Sequence, residues 1–219
     1  MRILLKTFLA LIASILLLIA AGAAWFYLYS GDLPQVKDAG SYAPNAYVQL
    51  PGLCGSHPSY ALPYNALGWN LQQAIRATEG INQHGSSMAM QIARGTYCTG
   101  SHRISRQLQE CRVAAQLRLR YTPEQLLTIY ANTIYIGQEA RGVEAAAQAY
   151  FSKHAYELDL AQTAAIAGMI QRPSYFSPQT HPARTKARRD QVLDKMTQYK
   201  MITASQAAAA KAEALLPGK

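Results

Sequence analysis

The chain has 219 residues, a formal net charge of +9 and 50% hydrophobic residues. That length fits one domain of ordinary size beside a membrane segment. A basic balance favours anionic partners, but the basic residues are spread along the chain and no nucleic-acid motif occurs among them, so a phospholipid surface or a pyrophosphate ranks above nucleic acid.

Residues 1–6 include Arg2 and Lys6, and Thr7 to Tyr29 is almost wholly apolar apart from Ser14. As a helix that run is roughly 34 Å long, enough to cross a hydrocarbon core of about 30 Å. Positive residues ahead of it and Trp25, Tyr27 and Tyr29 at its end suit a single-pass anchor. In that orientation the N-terminus is cytoplasmic and the bulk of the chain extracytoplasmic. A cleaved signal peptide processed at Ala21-Gly22-Ala23 is the rival reading. Residues 30–67 hold Gly31, Pro34, Pro44, Pro51, Pro58 and Pro63 and read as a linker without regular helix.

From Gly68 the pattern is helical, so residues 68–219 are expected to form an all-α domain. The spacing predicts helices over Trp69–Thr78, Ser86–Tyr97 and Ser101–Tyr121. In the third, Ile104, Leu108, Cys111, Ala115 and Leu119 are the expected buried stripe. Thr122-Pro123-Glu124-Gln125 starts the next with a capping box. A Gly137–Gly142 loop precedes an Ala-rich helix over Val143–Phe151. Asp159 with Gln162 caps another, and two more lie around Arg184–Tyr199 and Ala204–Leu216, the latter from a Thr203–Gln206 box. The basic run Arg184–Arg189 reads as a solvated face near anionic lipid. No alternating strand pattern and no repeat is present. Three cysteines leave one possible disulfide, with Cys54–Cys98 as the candidate and Cys111 as a packed thiol.

Ahead of Cys111 the only acidic residues are Asp32, Asp38, Glu79 and Glu110. The last two flank a segment rich in Ser, Gln and Arg. Two carboxylates beside a cationic patch suit a reaction at a phosphate-linked sugar, with one acid moving a proton and arginines holding the leaving anion.

The second half resembles a known family. The run Leu126 to Gly137 resembles the fourth motif of the family 51 peptidoglycan glycosyltransferases, ILExYLNxxxxG. Gly142 to Lys153 resembles the fifth, GxEAAAxxYFGK, and Asp159 to Pro173 resembles LxEAALLAGLPQAP. Upstream, His84 to Gly95 aligns with the second motif, GGSTITQQLAKN, keeping Ser86, Ser87 and Gln91 in type and Arg94 as the cation. Met90 replaces a Gln. Arg106 to Glu110 resembles the third motif, RKxxE, with Gln107 for Lys. His102 stands at a family Arg, which Arg103 could replace. Leu71 to Gly80 fits the helical half of the first motif and places its Glu at Glu79, provided the family's segment between motifs one and two is missing. A second alignment makes Ala74–Gly80 the end of that segment and moves motif one to Leu50–Leu53, where there is no acid.

The resemblance implies a lysozyme-like, all-α domain in the bacterial cytoplasmic membrane that polymerises lipid II, by inverting transfer, onto a growing glycan strand. Glu79 is then the base. Arg94, Arg103 and Arg106 bind the pyrophosphate, and Ser86, Ser87 and Gln91 bind sugar or phosphate oxygens. Glu110 orients the cations or holds a divalent metal, Mg or Mn, at the diphosphate. Membrane lipid and other cell-wall synthesis proteins are the further implied partners. Two alternatives stay open. One is a degenerate relative that binds lipid-linked precursor or a cell-wall partner without turnover. The other is a lytic, glycan-cleaving enzyme, suggested by Glu79 with Met90-Gln91-Ile92.

Overall fold

A computed structural model describes residues 2–29, 62–80, 86–96, 103–138 and 140–215. The expected Cys54–Cys98 pair, His84, His102 and the alternative motif one at Leu50–Leu53 lie outside them. Helix α1, Arg2–Tyr29, belongs to a first compact unit, and the remaining described elements to a second. Within α1, Lys6–Trp25 has a mean hydropathy of 2.5 and is long and apolar enough to cross a membrane. The one hydroxyl in its middle, Ser14, donates to the Ala10 carbonyl at 2.9 Å, so it leaves no unpaired polar group in the apolar run.

The second unit is all-α. Its helices are α2 (Trp69–Glu79), α3 (Ser86–Thr96), α4 (Arg103–Arg120), α5 (Pro123–Thr133), α6 (Val143–Phe151), α7 (Leu160–Met169), α8 (Pro182–Gln198) and α9 (Ala204–Ala212). The described residues also form 3-10 turns at Tyr64–Leu67 and Ala155–Glu157. Each of the three expected capping boxes forms: at Thr122 with Gln125, Asp159 with Gln162, and Thr203 with Gln206. In each, the side-chain oxygen of the first residue and the amide of the second satisfy backbone N–H groups that the first turn leaves open.

Packing is organised on α7, which lies against α2 and α8, while α3 packs against α4 and α5. Ala161, Ala164, Ala165 and Ala167 are buried along α7 and let its neighbours approach closely. At Gly168 the approach excludes a side chain, because a Cβ there would stand 2.9 Å from Arg188 Cγ.

Two expectations are corrected, and packed residues also occur ahead of residue 68. Leu67 is fully buried, and the Leu62 N–H donates to Asn132 Oδ1 at 2.8 Å while Asn132 Nδ2 donates back to the Leu62 carbonyl at 2.9 Å. The buried side of α4 is the opposite one to that expected. Val113, Ala114 and Leu117 are buried, whereas Cys111 is an exposed free thiol and Leu119 is 87% exposed. The helix packs through Val113, Ala114 and Leu117, a second apolar stripe at helical spacing, so spacing alone did not choose between the two faces. Finally, the basic run on α8 is not a solvated face throughout. Arg189 is 0% exposed and donates to the carbonyls of Lys211 and Glu213, both at 2.7 Å. A guanidinium there closes the open C-terminal carbonyls of α9.

Between α5 and α6 the chain turns sharply. A single antiparallel bridge joins Tyr135 and Arg141, and the Gly142 N–H donates to the Ile134 carbonyl at 2.8 Å. Gly142 has φ 83°, and a Cβ on it would meet the Asn132 carbonyl oxygen at 2.7 Å. Glu144, in the first turn of α6, ties down the segment that follows the helix: it accepts from the Ala155 N–H at 2.9 Å and contacts His154 Nδ1 at 2.6 Å. That hydrogen bond holds the His154 pKa above its ordinary value.

Gly142→Ala is expected to destabilise the folded chain by at least about 2 kcal/mol, since it combines left-handed strain with a backbone clash. Denaturant unfolding in detergent micelles checks this. His154 should stabilise the fold below its unfolded pKa of about 6.5, and that contribution should vanish as pH rises through the higher folded value. The midpoint difference between wild type and His154→Gln, measured at about pH 5.5 and about pH 8.5, is therefore expected to shrink at the higher pH.

Candidate functional site

Helix α2 ends at Glu79 because Gly80 takes φ 89° and turns its N–H to the Arg76 carbonyl at 3.0 Å. The Glu79 carboxylate is thereby delivered into the junction of three helices and is 7% exposed. From α3, Ser87 Oγ and Gln91 Nε2 both donate to Glu79 Oε2 at 2.5 Å. From α5, the Tyr130 hydroxyl reaches Glu79 Oε1 and Gln91 Oε1, each at 2.9 Å. Burial, reinforced by the Glu79 charge, pushes the Tyr130 phenol well above its ordinary pKa, so it remains a proton donor to the carboxylate. Ser87, expected to cap α3 or bind ligand oxygens, gives its hydroxyl proton to the acid.

The second acid is set differently. Glu110 is 13% exposed, with Arg94 Nε 3.2 Å from Oε2 and Arg106 Nε 3.5 Å from Oε1, the latter one turn away on α4. The arginine side chains are 60% and 54% exposed, and among the described residues both bind Glu110 through Nε, so the terminal guanidinium nitrogens can face an anion. Glu110 thus fixes two cations at the surface rather than standing free itself.

An open depression of about 500 Å³ is lined by Ser87, Met90, Gln91, Arg94, Gly95, Ile134 and Gln171. Ile134 is placed there by the turn that ends α5, and Gln171 by the turn after α7. Neither Glu79 nor Glu110 is in this lining. Glu79 stands behind it, joined through Ser87 and Gln91, and Glu110 stands behind it through Arg94. Among the described residues no hydrogen bond or ion pair links the two clusters directly.

Of the expected site residues, the structure therefore groups Glu79 with Ser87 and Gln91, and Glu110 with Arg94 and Arg106. Ser86 and Arg103 begin α3 and α4, and their side chains lie outside the described set. Tyr130 and Gln171 belong to the site and were not singled out from the sequence. Tyr130 was detectable in principle, as a lone phenol among buried Leu126, Leu127 and Ile129 whose hydroxyl needs a partner. Gln171 carried no such signal. Glu110, the residue expected to orient the cations or hold a divalent metal, has a guanidinium group beside each of its carboxylate oxygens. Among the described residues, no group of three or more potential ligands gathers.

Residues 63–197 match the family described as Transglycosylase. The chain is 37% identical over 122 residues to Penicillin-binding protein 1A of Pseudomonas aeruginosa, covering 56% of this chain and 15% of that protein. It is 36% identical over 126 residues to the Aquifex aeolicus protein of the same name, covering 58% and 17%. With the Vibrio cholerae protein of that name it shares 35% identity over 144 residues, covering 66% and 18%. The chain thus spans less than a fifth of the length of these relatives. A crystal structure of Penicillin-binding protein 1A from Haemophilus influenzae superposes with a TM-score of 0.49 at 25% identity, over 74% of this chain and 18% of that one.

Tyr130→Phe removes the donor to Glu79 Oε1 and leaves a buried carboxylate oxygen without it. A loss of about 2 kcal/mol in unfolding free energy is expected. Exposed Tyr156→Phe, treated identically, should change the midpoint little.

Proposed function

This chain belongs to the transglycosylase family, and from that membership we propose that it is a membrane-anchored peptidoglycan glycosyltransferase that polymerises lipid II. The observation that carries the reading is the pair of exposed arginines held on Glu110 beside a depression walled by motif-two residues. In this reading α1 is the single membrane span and the second unit acts on the outer face of the bacterial cytoplasmic membrane. The partners are lipid II, the growing strand and membrane lipid.

The chemistry is one inverting displacement. The acceptor 4-hydroxyl forms a bond to the anomeric carbon of the donor, and the bond from that carbon to the pyrophosphate oxygen breaks with its electron pair. Arg94 and Arg106 stabilise the anion that departs. Because Glu79 lies behind the lining, it acts as base through Ser87: the serine takes the hydroxyl proton and passes its own to Glu79 Oε2, 2.5 Å away. Arg103 and Ser86, at the starts of α4 and α3, are assigned to pyrophosphate and sugar oxygens on the family resemblance. Glu110 orients the cations.

A second reading, binding of lipid-linked precursor without turnover, is favoured by one observation. Both oxygens of the Glu79 carboxylate already accept hydrogen bonds, and the group is almost fully buried. Such a group is well suited to hold three helices together and poorly exposed to an acceptor sugar.

Reconstituted protein supplied with lipid II separates the two. Polymer from wild type, with a loss of at least about 100-fold in Glu79→Gln and a clear loss in Arg94→Ala, is the expected result. Saturable binding of lipid II with no polymer would establish the second reading. Release of soluble anhydro-sugars from finished glycan would point instead to the lytic alternative.

A further inference from the structure

Gln171 is exposed in the turn after α7 and lines the depression together with Ser87, Gln91 and Arg94. Its side chain is held from behind: Arg188 Nη2 donates to Gln171 Oε1 at 2.8 Å. A guanidinium can only donate, so the oxygen of the amide is turned toward Arg188, and among the described residues neither N–H of Nε2 has a partner.

Arg188 is itself held in place. Its Nε donates to the Gly168 carbonyl at 3.3 Å and its Nη1 to Gln191 Oε1 at 3.1 Å, while its guanidinium lies 5.6 Å from the centre of the Phe176 ring. It passes over Gly168 where a Cβ would come within 2.9 Å of its Cγ. A missing side chain, a backbone carbonyl and an aromatic face together set one direction for the Gln171 amide.

The other polar groups of the lining are already committed. Ser87 donates to Glu79, and Gln91 Nε2 donates to Glu79 Oε2 at 2.5 Å and to Ser87 Oγ at 3.3 Å. Arg94 and Gln171 are therefore the donors that the described lining leaves to a ligand. A cation selects an anion, whereas a neutral amide N–H suits an uncharged oxygen.

We propose that Gln171 is a specificity-determining residue that donates a side-chain N–H to a neutral oxygen of the bound sugar, an acetamido carbonyl or a hydroxyl, and that Arg188 is its positioning residue. This rests on the reading that the depression takes a sugar linked to pyrophosphate.

The test measures the affinity of the full chain in detergent micelles for lipid II and for undecaprenyl pyrophosphate, which has no sugar. Gln171→Ala is expected to weaken lipid II binding roughly 3- to 10-fold, the range for one neutral hydrogen bond, and to leave undecaprenyl pyrophosphate unchanged. Gln171→Glu can still accept from Arg188, so it should keep the wild-type unfolding midpoint yet bind lipid II no better than Gln171→Ala. Adding Arg188→Ala to Gln171→Ala should cost no further affinity. Unchanged lipid II affinity in both Gln171 variants overturns the inference while sparing the proposed function. An equal loss for undecaprenyl pyrophosphate in Gln171→Ala overturns the assignment to the sugar. Folded wild type that binds lipid II not at all overturns both.

Discussion

Burying the Glu79 carboxylate removes a full charge from water, and the arrangement of α2, α3 and α5 follows from the need to compensate it. Ser87 and Gln91 supply donors from α3 and Tyr130 from α5, so one carboxylate fixes the relative positions of three helices. The same contacts set the wall of the depression, because Ser87 and Gln91 line it on their other side. Site geometry and helix packing are consequently one constraint here rather than two.

That coupling bears on chemistry. A general base needs a lone pair directed at the proton it takes, and the Glu79 oxygens are directed at protein donors. Turnover is compatible with this only if a group in the lining carries the proton, and Ser87 is the group in contact. Glu110 lies at the other end of the division of labour. It is paired with exposed cations through their Nε atoms, an arrangement suited to presenting the terminal nitrogens to a pyrophosphate.

Much of the fold was legible in the sequence because helix starts are local. Thr122, Asp159 and Thr203 form their capping boxes with residues three positions on, and no distant contact is needed to specify them. The stripe on α4 was misread for the complementary reason. Leu108, Cys111, Ala115 and Leu119 are apolar, but so are Val113, Ala114 and Leu117 on the other side, and which stripe is buried is decided by the helices packed against it. Arg189 shows the same limit: a cation in a basic run becomes fully buried because the last carbonyls of α9 arrive beside it.

The sequence by itself determined the all-α class, the apolar N-terminal helix, the helix starts and the motif likeness of the segments that carry Ser87, Gln91, Arg94, Arg106 and Glu110. Each of these depends on residue type and spacing within one segment. Only the tertiary structure decided that Glu79 and Glu110 sit in separate clusters behind the depression, that Tyr130 closes the first, and that Arg188 aims Gln171 into the lining. These depend on side chains 12 to 51 positions apart meeting in space, a relation that no local pattern encodes.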